Sequence, residues 1–296
     1  MKILTSSYTL DLAGVPTFTK TFFDEVKKRG DEIVVYSPLG GRLSSQMETV
    51  ESLKNLKFVP DIIVSQHTPC SYDLKDKFPN VRHIFYSHGL LPKIEQPPKF
   101  EADYYFAINK EVQGNLVKSG VNKSKIAIIR DFIDTEKFKK TKDINQKLTN
   151  ILFISNYKKW KNYKTVSQAC QILGVNLKCS GAPYGRSTNM EQTINNSDLV
   201  ISWGRGILEA LSCERNAISF DKTVGDGFID SQSYFKSREN NFSGRIFNIS
   251  FTPLTLSQEM QKYDKNIGVK NRDLVLKYHQ VKKGVDLMYE YFRSNN

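Results

Sequence analysis

Short apolar runs rich in Ile, Val, Phe and Tyr recur through the first half of the chain. Each run is about four to six residues long and is apolar at both odd and even positions. Strands of a parallel sheet that is covered on both faces have this pattern. The pattern therefore predicts six buried strands, at residues 2–5, 32–37, 61–65, 83–87, 104–108 and 126–129.

The segment between the first two runs has helical rather than strand periodicity. Phe18, Phe22, Phe23 and Val26 recur there at steps of three to four residues, and Gly30 follows as a helix stop. This spacing predicts a helix over residues 15–29. The beginning of the chain is thus a strand, a loop, a helix and a strand, which is the repeating unit of a doubly wound α/β sheet.

A second series of strands follows a polar, lysine-rich stretch at residues 137–150 that resembles a linker. Its predicted strands are residues 150–155, 176–179, 198–203, 216–221 and 245–250, with helices at 163–173 and 207–213. Two Rossmann-like domains, 1–142 and 143–268, are the simplest interpretation. Residues 269–296 complete the chain as one long amphipathic helix, which is a candidate to cross back to the first domain.

Composition and charge narrow the class of protein. The 296 residues, 39% of them hydrophobic and 25% charged, can bury a full core and exceed the usual size of one domain. No apolar run approaches the length of a membrane span, and the first residues lack the pattern of a secretory leader. Four scattered cysteines form no C-x-x-C pair. We therefore expect reduced thiols, no metal site and a cytoplasmic location.

The net charge of +12 favours phosphates, polyanions or acidic lipid surfaces as partners. The basic residues are spread over both halves and form no block, so we expect no nucleic-acid partner. Lys27, Lys28 and Arg29 at the end of the first predicted helix leave peripheral contact with an anionic inner membrane face as one hypothesis. Solvated helix charges are the alternative.

Ligands of open α/β sheets bind at the carboxyl ends of the strands, and two facing domains would leave a central cleft there. In the first domain, Gly14 lies in the loop before the first helix, where a phosphate could approach the backbone. His88 and Gly89 follow the fourth strand, and an imidazole there could exchange hydrogen bonds with sugar hydroxyls. A simple tight turn and a structural histidine are the alternatives.

Two loops of the second domain are also candidates. The loop after residue 155 includes Asn156, Lys158 and Lys161, whose charges could neutralise a diphosphate unless the loop is merely solvated. Gly204, Arg205 and Gly206 follow a strand and begin a helix, a pattern typical of an anion seat. Glu209 falls about one turn later and could accept hydrogen bonds from a ribose diol. The alternative for Glu209 is an acid that complements the helix dipole.

These features together resemble the GT-B glycosyltransferases, in particular the retaining family 4 type. The resemblance extends in order over a glycine loop at residues 13–15, a histidine turn at 87–89, the stretches 108–120 and 126–138, and residues 197–211. In that family the histidine turn contacts the donor sugar, and the last segment carries the second glutamate of an E-x7-E motif. Glu209 is the matching residue in this sequence.

The sequence departs from the family pattern at three places. Asn156 stands where the family has an arginine, although Lys161 matches the lysine of the same loop. Ile201 replaces the first glutamate of E-x7-E, and Asp131-Phe132 replaces the N-G of an N-G-I-D motif. Arg205 or Lys158 could supply the missing charge.

The resemblance implies transfer of a sugar from a nucleoside-diphosphate sugar to a hydroxyl acceptor, with retention and without metal or cofactor. It also implies that residues 1–142 form the acceptor side and residues 143–268 the nucleotide-sugar side. Lys161 and Arg205 would stabilise the diphosphate, with Lys158 and Asn156 beside them, and His88 would contact the sugar. Glu209, Gly204, Gly206 and Gly14 would complete the donor site. The acceptor could be a glycan, a lipid-linked molecule or a small molecule. A noncatalytic or partner-dependent nucleotide-sugar binding protein is the alternative that the departures suggest.

Overall fold

The computed structural model describes residues 1–156, 160–181, 185, 187–221 and 224–294. Its strands are β1 Lys2–Ser6, β2 Glu32–Tyr36, β3 Thr49–Val50, β4 Ile62–Ser65, β5 Arg82–Ser87, β6 Tyr104–Ala107, β7 Ile126–Ile128, β8 Asn150–Ile154, β9 Asn176–Ser180, β10 Leu199–Ser202, β11 Asn216–Asp221 and β12 Val224–Phe228. Its helices are α1 Gly14–Lys28, α2 Thr68–Lys77, α3 Lys110–Lys118, α4 Trp160–Leu173, α5 Met190–Asn195, α6 Arg205–Ser212, α7 Ser231–Glu239, α8 Pro253–Met260, α9 Lys265–Tyr278 and α10 Val281–Arg293.

The chain divides into two compact units. Unit 1 is Met1–Asp131 together with Val281–Asn296, and unit 2 is Phe132–Gln280. The sequence placed the domain boundaries near 142 and 268, within the polar stretch and ahead of the last apolar helix. Phe138, from that polar stretch, is buried in the core of unit 2. The polar stretch is therefore part of unit 2.

Unit 1 is built on a parallel sheet with the strand order β3-β2-β1-β4-β5-β6-β7. Ile3 of β1 pairs with Ile33 of β2 on one side and with Ile62 of β4 on the other. These three side chains are buried, as are nearly all apolar residues of the central strands. The six predicted strands are confirmed, whereas the two-residue edge strand β3 was too short to have a pattern.

Unit 2 contains a five-stranded sheet with the order β12-β11-β10-β8-β9, in which only the β11–β12 pairing is antiparallel. Successive residues of β10 bury opposite faces: Val200 packs in one apolar cluster, and Leu199 and Ile201 pack in the other. A sheet covered on both faces explains why its strands are continuous apolar runs.

The strand predicted at residues 245–250 is wrong. The fifth strand of unit 2 is β12, and Ile249 makes only an isolated bridge with Gly225 of that strand. Asp226 of β12 accepts hydrogen bonds from the backbone N–H groups of Ile246 and Phe247, which holds that segment in turns. β12 has two glycines and therefore only a weak apolar pattern. The apolar residues of 245–250 gave the stronger pattern, so the strand was predicted there.

The single terminal helix predicted over residues 269–292 is two helices in the structure. α9 ends before His279, whose carbonyl accepts a hydrogen bond from the N–H of Ile133, and Gln280 bridges the same residue. α9 packs against α6 in unit 2, and α10 packs against α1 in unit 1. The return to the first unit is therefore made by α10 alone.

No helix within the described ranges is both long and apolar enough to span a bilayer.

Candidate functional site

The candidate residues of unit 1 lie where its parallel strands end. Gly14 begins α1 after the loop that follows β1, and the preceding residue, Ala13, caps the helix without a side-chain hydrogen bond. A Cβ added to Gly14 would meet no atom within 4 Å. The first-turn amides of an α-helix have no partner inside the helix. An anion could therefore approach this helix end closely.

His88 directly follows β5, and its ring is held on two sides. It stacks on Tyr86 with 4.3 Å between ring centroids and an angle of 18°, and it meets Phe18 edge-on at 4.7 Å. Its Nε2 atom lies 2.8 Å from Oε1 of Gln66, the residue that follows β4. The imidazole is thus positioned by aromatic packing and by the hydrogen bond with Gln66.

The contacts of Gln66 indicate which nitrogen of His88 carries the proton. The Gln66 amide nitrogen donates to the backbone carbonyl of Ser6 at 3.0 Å and to Oγ1 of Thr19 at 2.8 Å. This orientation makes Oε1 of Gln66 an acceptor, so Nε2 of His88 is the donor. In the neutral imidazole Nδ1 then carries the lone pair.

The other histidines have structural contacts. Nδ1 of His67 accepts a hydrogen bond from the N–H of Tyr8, and Nε2 of His83 lies 2.7 Å from the hydroxyl of Ser65. Burial lowers the pKa of each of these two histidines to about 4. Both are therefore uncharged at neutral pH and serve the packing of the unit 1 sheet.

In unit 2, the glycines around Arg205 are required by the geometry of the turn from β10 into α6. Gly204 has φ +57°, a left-handed value that disfavours side chains, and its N–H donates to the carbonyl of Phe242. A Cβ on Gly206 would lie 2.4 Å from Oγ of Ser202. The helix therefore begins in close contact with the end of β10, with its first-turn amides directed away from the helix body.

Arg205 and Glu209 form an ion pair on the first turn of α6. Nε of Arg205 lies 3.0 Å from Oε1 of Glu209, and Nη1 donates to the carbonyl of Phe132 at 2.7 Å. Their side chains are only 9% and 13% exposed. Glu209 reaches back toward the loop and contacts Arg205 there. Through its hydrogen bond with Phe132, Arg205 also joins α6 to Asp131-Phe132, the residues that replace the N-G of the N-G-I-D motif.

The lysine loop is only partly described. Asn156 is exposed after β8, and the carbonyl of Ser155 lies 1.9 Å from the position of a Cβ on Gly181. The loop therefore packs against the backbone at Gly181. Lys158 and the side chain of Lys161 lie outside the described residues, although Lys161 belongs to the first turn of α4.

Sequence reasoning missed Gln66 and Glu95. Gln66 follows a buried strand, so the rule that selected His88 could have selected it as well. Glu95 belongs to the loop after β5, and its Oε2 atom lies 2.6 Å from the position of a Cβ on Gly89. Burial raises the pKa of Glu95 to about 7. Nothing in the sequence around Glu95 indicates this burial.

Among the residues that the structure describes, no group of three or more His, Cys, Asp and Glu side chains could hold a metal ion. Among the described residues, the strand ends of unit 1 offer the first-turn amides of α1 and the His88 imidazole. Those of unit 2 offer the first-turn amides of α6, the Arg205 guanidinium and the Glu209 carboxylate. Such groups bind and stabilise an anionic, hydroxyl-rich molecule by hydrogen bonds and charge.

No protein-family model matches the sequence, and no curated protein matches it. Solved structures are similar over the whole chain. An α-glucosyltransferase in complex with UDP and a 13-mer DNA has a TM-score of 0.71 at 13% identity, covering 99% of this chain and 100% of that one. HepE of Anabaena in complex with UDP and glucose has a TM-score of 0.68 at 13% identity, covering 100% of both chains.

A third similar structure is that of an epimerase. UDP-GlcNAc 2-epimerase from Neisseria meningitidis bound to UDP-GlcNAc has a TM-score of 0.62 at 11% identity, and the coverage is 100% of both chains. At these identities the likeness concerns the fold. The protein therefore has the GT-B fold, with two Rossmann-like units built from one continuous and one discontinuous stretch of chain.

Proposed function

We propose that this protein is a glycosyltransferase that moves a sugar from a nucleoside-diphosphate sugar to a hydroxyl acceptor. The start of α6 is the observation that carries the proposal. Gly204 and Gly206 bring the first-turn amides and the Arg205 guanidinium to one helix end, and Glu209 is one turn away. The similar structures with bound UDP or UDP-GlcNAc support a nucleotide ligand for this fold.

The diphosphate is the part of the donor that this helix end suits. A helix N-terminus stabilises negative charge through its free amides and its dipole, and an arginine adds charge-assisted hydrogen bonds. The negative charge on the diphosphate grows as the bond to the sugar breaks, so these groups stabilise the leaving group. Lys161, with Lys158 and Asn156 in the same loop, would add to this stabilisation.

Glu209 is the proposed partner of the ribose hydroxyls. Its carboxylate forms an ion pair with Arg205, which fixes its position. A carboxylate oxygen can accept more than one hydrogen bond, so the ion pair and a hydroxyl can share Glu209. The pair thus joins recognition of the nucleoside to recognition of the diphosphate.

Transfer with retention is the stereochemistry that the resemblance to family 4 favours. In that course the bond from the anomeric carbon to the diphosphate oxygen breaks, and the acceptor oxygen bonds to that carbon on the same face. The acceptor proton passes to the departing phosphate oxygen. The residues of this chain then position the reactants and stabilise charge. His88 is the proposed contact of the donor sugar, and Gly14 allows a phosphate to approach α1.

Nucleotide binding tests the proposal directly. A ligand that binds only the folded state raises the unfolding temperature, so UDP, GDP, ADP, CMP and dTDP are compared in a thermal-shift assay. We expect one diphosphate to stabilise the protein, and Glu209→Gln to weaken its binding about tenfold. The matched control is Glu136→Gln, an exposed glutamate of unit 2. Undiminished affinity in Glu209→Gln would contradict the assigned role.

Measurement of donor turnover, with and without an acceptor, distinguishes a transferase from the other candidate functions. With a labelled sugar donor, a transferase consumes the donor faster when a hydroxyl acceptor is present. The likeness to the 2-epimerase makes donor turnover without an acceptor the second candidate activity. Binding without any turnover would instead indicate the noncatalytic nucleotide-sugar binding protein.

A further inference from the structure

Gln66 is a fully buried polar residue at the carboxyl end of the unit 1 sheet, directly after β4. Its amide nitrogen lies within hydrogen-bond distance of three oxygen atoms. These are the backbone carbonyl of Ser6 at 3.0 Å, Oγ1 of Thr19 at 2.8 Å and Oγ1 of Thr5 at 3.3 Å. Because the three atoms belong to β1 and α1, the amide group joins both elements to the end of β4.

All three of these oxygen atoms act as acceptors. The backbone carbonyl has no proton to donate. The hydroxyl of Thr19 donates to the carbonyl of Val15 at 2.9 Å, and that of Thr5 donates to the carbonyl of Val64 at 2.9 Å. A hydroxyl that has given its one proton to a carbonyl can only accept hydrogen bonds from other groups. The nitrogen of the Gln66 amide must therefore face these atoms, and its Oε1 atom must face the opposite side.

On that opposite side, Oε1 of Gln66 meets the imidazole of His88. The distance from Oε1 to Nε2 of His88 is 2.8 Å. This contact is favourable only if Nε2 has a proton, because the other tautomer would bring two lone pairs together at a buried position. The stacked ring of Tyr86 and the ring of Phe18 limit rotation of the imidazole. Gln66 thus selects the form of His88 that is protonated at Nε2.

The burial of Gln66 decides how it can act. With 0% of its surface exposed, its amide group cannot contact a ligand directly. Its hydrogen bonds nevertheless fix the orientation and the tautomer of His88, which is the proposed contact of the donor sugar. Any effect of Gln66 on the donor must therefore pass through His88.

We propose that Gln66 is a positioning residue for the donor sugar, because it holds His88 with an Nδ1 atom that accepts a hydrogen bond from a sugar hydroxyl. The proposal rests on the transferase function and specifies the donor that the site selects. A hydroxyl can donate to Nδ1, whereas a carboxylate or a deoxygenated carbon cannot. The site thus favours donors that have a hydroxyl facing His88, and it rejects those with a carboxylate or no oxygen there.

The tautomer of His88 is tested independently of any activity. Protonated and unprotonated ring nitrogens differ in their ¹⁵N NMR shifts, and spectra are recorded at pH 8, above the pKa of an ordinary histidine. His88→Ala assigns the signal among the four histidines. We expect a proton on Nε2 in the wild type, exchanging with water at least tenfold more slowly than in Gln66→Leu. A proton on Nδ1, or equal exchange in the two proteins, would overturn the proposal.

The effect on the donor is measured by comparing two dissociation constants, that of the nucleotide which stabilises the fold and that of its nucleotide sugar. We expect Gln66→Leu to weaken binding of the nucleotide sugar about tenfold, because the hydrogen bond to the sugar is lost. Binding of the nucleotide alone should change less than about twofold. The control is Gln113→Leu, the same change at a half-buried position of α3. It should leave both dissociation constants unchanged.

A double-mutant cycle shows whether Gln66 acts through His88. In a His88→Ala background, Gln66→Leu should weaken binding of the nucleotide sugar no further. A full tenfold loss in that background, or an equal loss for the nucleotide alone, would indicate a merely structural role and would overturn the proposal. The wild-type NMR spectrum needs no variant, so it decides the tautomer even if Gln66→Leu does not fold.

The outcomes also separate this inference from the proposed function. Unchanged affinity for the nucleotide sugar in Gln66→Leu, with sugar transfer by the wild type, would overturn the role of Gln66 and leave the transferase function intact. Absence of nucleotide binding and of turnover in the wild type would remove the proposed function, and the role of Gln66 with it.

Discussion

Glu95 makes the stability of the protein depend on pH. Its pKa is about 7 in the fold against 4.5 for an ordinary glutamate. The folded state thus binds the Glu95 proton more tightly than the unfolded state does. The stabilisation from protonated Glu95 is complete below about pH 4.5 and is lost as the pH rises through 7.

Replacement of Glu95 by glutamine removes this dependence. We expect Glu95→Gln to be more stable than the wild type at pH 8 by about 1–2 kcal/mol, discounted for partial exposure, and similar to it at pH 5. The unfolding temperatures at the two pH values measure the difference, with Glu101→Gln as the control. If the difference in unfolding temperature between Glu95→Gln and the wild type were the same at both pH values, the charge of Glu95 would not be its cause.

Single residues also show where sequence reasoning stops. His88 and Glu209 could be selected because a strand or a glycine turn lies directly before them in the chain. Glu95 could not be selected, since its burial depends on the contacts of Ser87, Gln96 and Asn115, which the sequence does not place together. The Arg205–Phe132 hydrogen bond likewise joins residues more than seventy positions apart.

At the scale of elements, the turn from β10 into α6 is closely packed at Gly206. We expect Gly206→Ala to displace Ser202, whose hydroxyl donates to the carbonyl of Ile154 at 3.2 Å. The cost is about 1–3 kcal/mol of unfolding free energy, as for other overpacked positions. The displaced helix end should also bind the nucleotide at least tenfold more weakly. Chemical denaturation and nucleotide titration measure the two effects.

Gly114 of α3 provides the matched control for this change. A Cβ on Gly114 would meet no atom within 4 Å, and alanine is the better helix former. We expect Gly114→Ala to stabilise the protein by about 0.5–1 kcal/mol and to leave nucleotide affinity unchanged. If Gly206→Ala behaved like Gly114→Ala, the close contact with Ser202 would not be a constraint on the site.

Elements with a strong hydrophobic pattern could be predicted from the sequence. Elements whose positions depend on pairing with residues elsewhere in the chain could not. Central strands such as β1, β4 and β10 are buried on both faces, so their apolar runs identify them. β12 and the break between α9 and α10 depend on pairing with residues elsewhere, through Asp226 and Ile133. Local periodicity contains no information on those partners.

At the scale of the whole molecule, α10 attaches to unit 1 through a small polar network. Arg29 of α1 contacts Asp286 at 2.8 Å and donates to the carbonyl of Lys282, and the hydroxyl of Tyr289 donates to Asp31 at 2.6 Å. Buried residues of α10, including Val285 and Met288, form the apolar part of the attachment.

Removal of the Arg29 contacts should make local opening of α10 more frequent and leave the local stability of α6 unchanged. We expect Arg29→Ala to speed hydrogen exchange of the α10 amides about tenfold, because roughly 1.4 kcal/mol of local stability is lost. Exchange in α6 should not change. Lys20→Ala, which removes an ion pair with Asp24 on the same helix α1, is the control. Equal exchange of α10 in both variants would show that Arg29 does not secure it.

The discontinuity of unit 1 has a consequence for biosynthesis. Unit 2 is one uninterrupted stretch, so all of its residues leave the ribosome before those of α10 do. Residues 1–131 cannot complete unit 1 until the segment from Val281 onward has also left the ribosome. During that interval the face of α1 that receives α10 is uncovered, so a nascent chain stalled between these points would present this face to chaperones or to other chains.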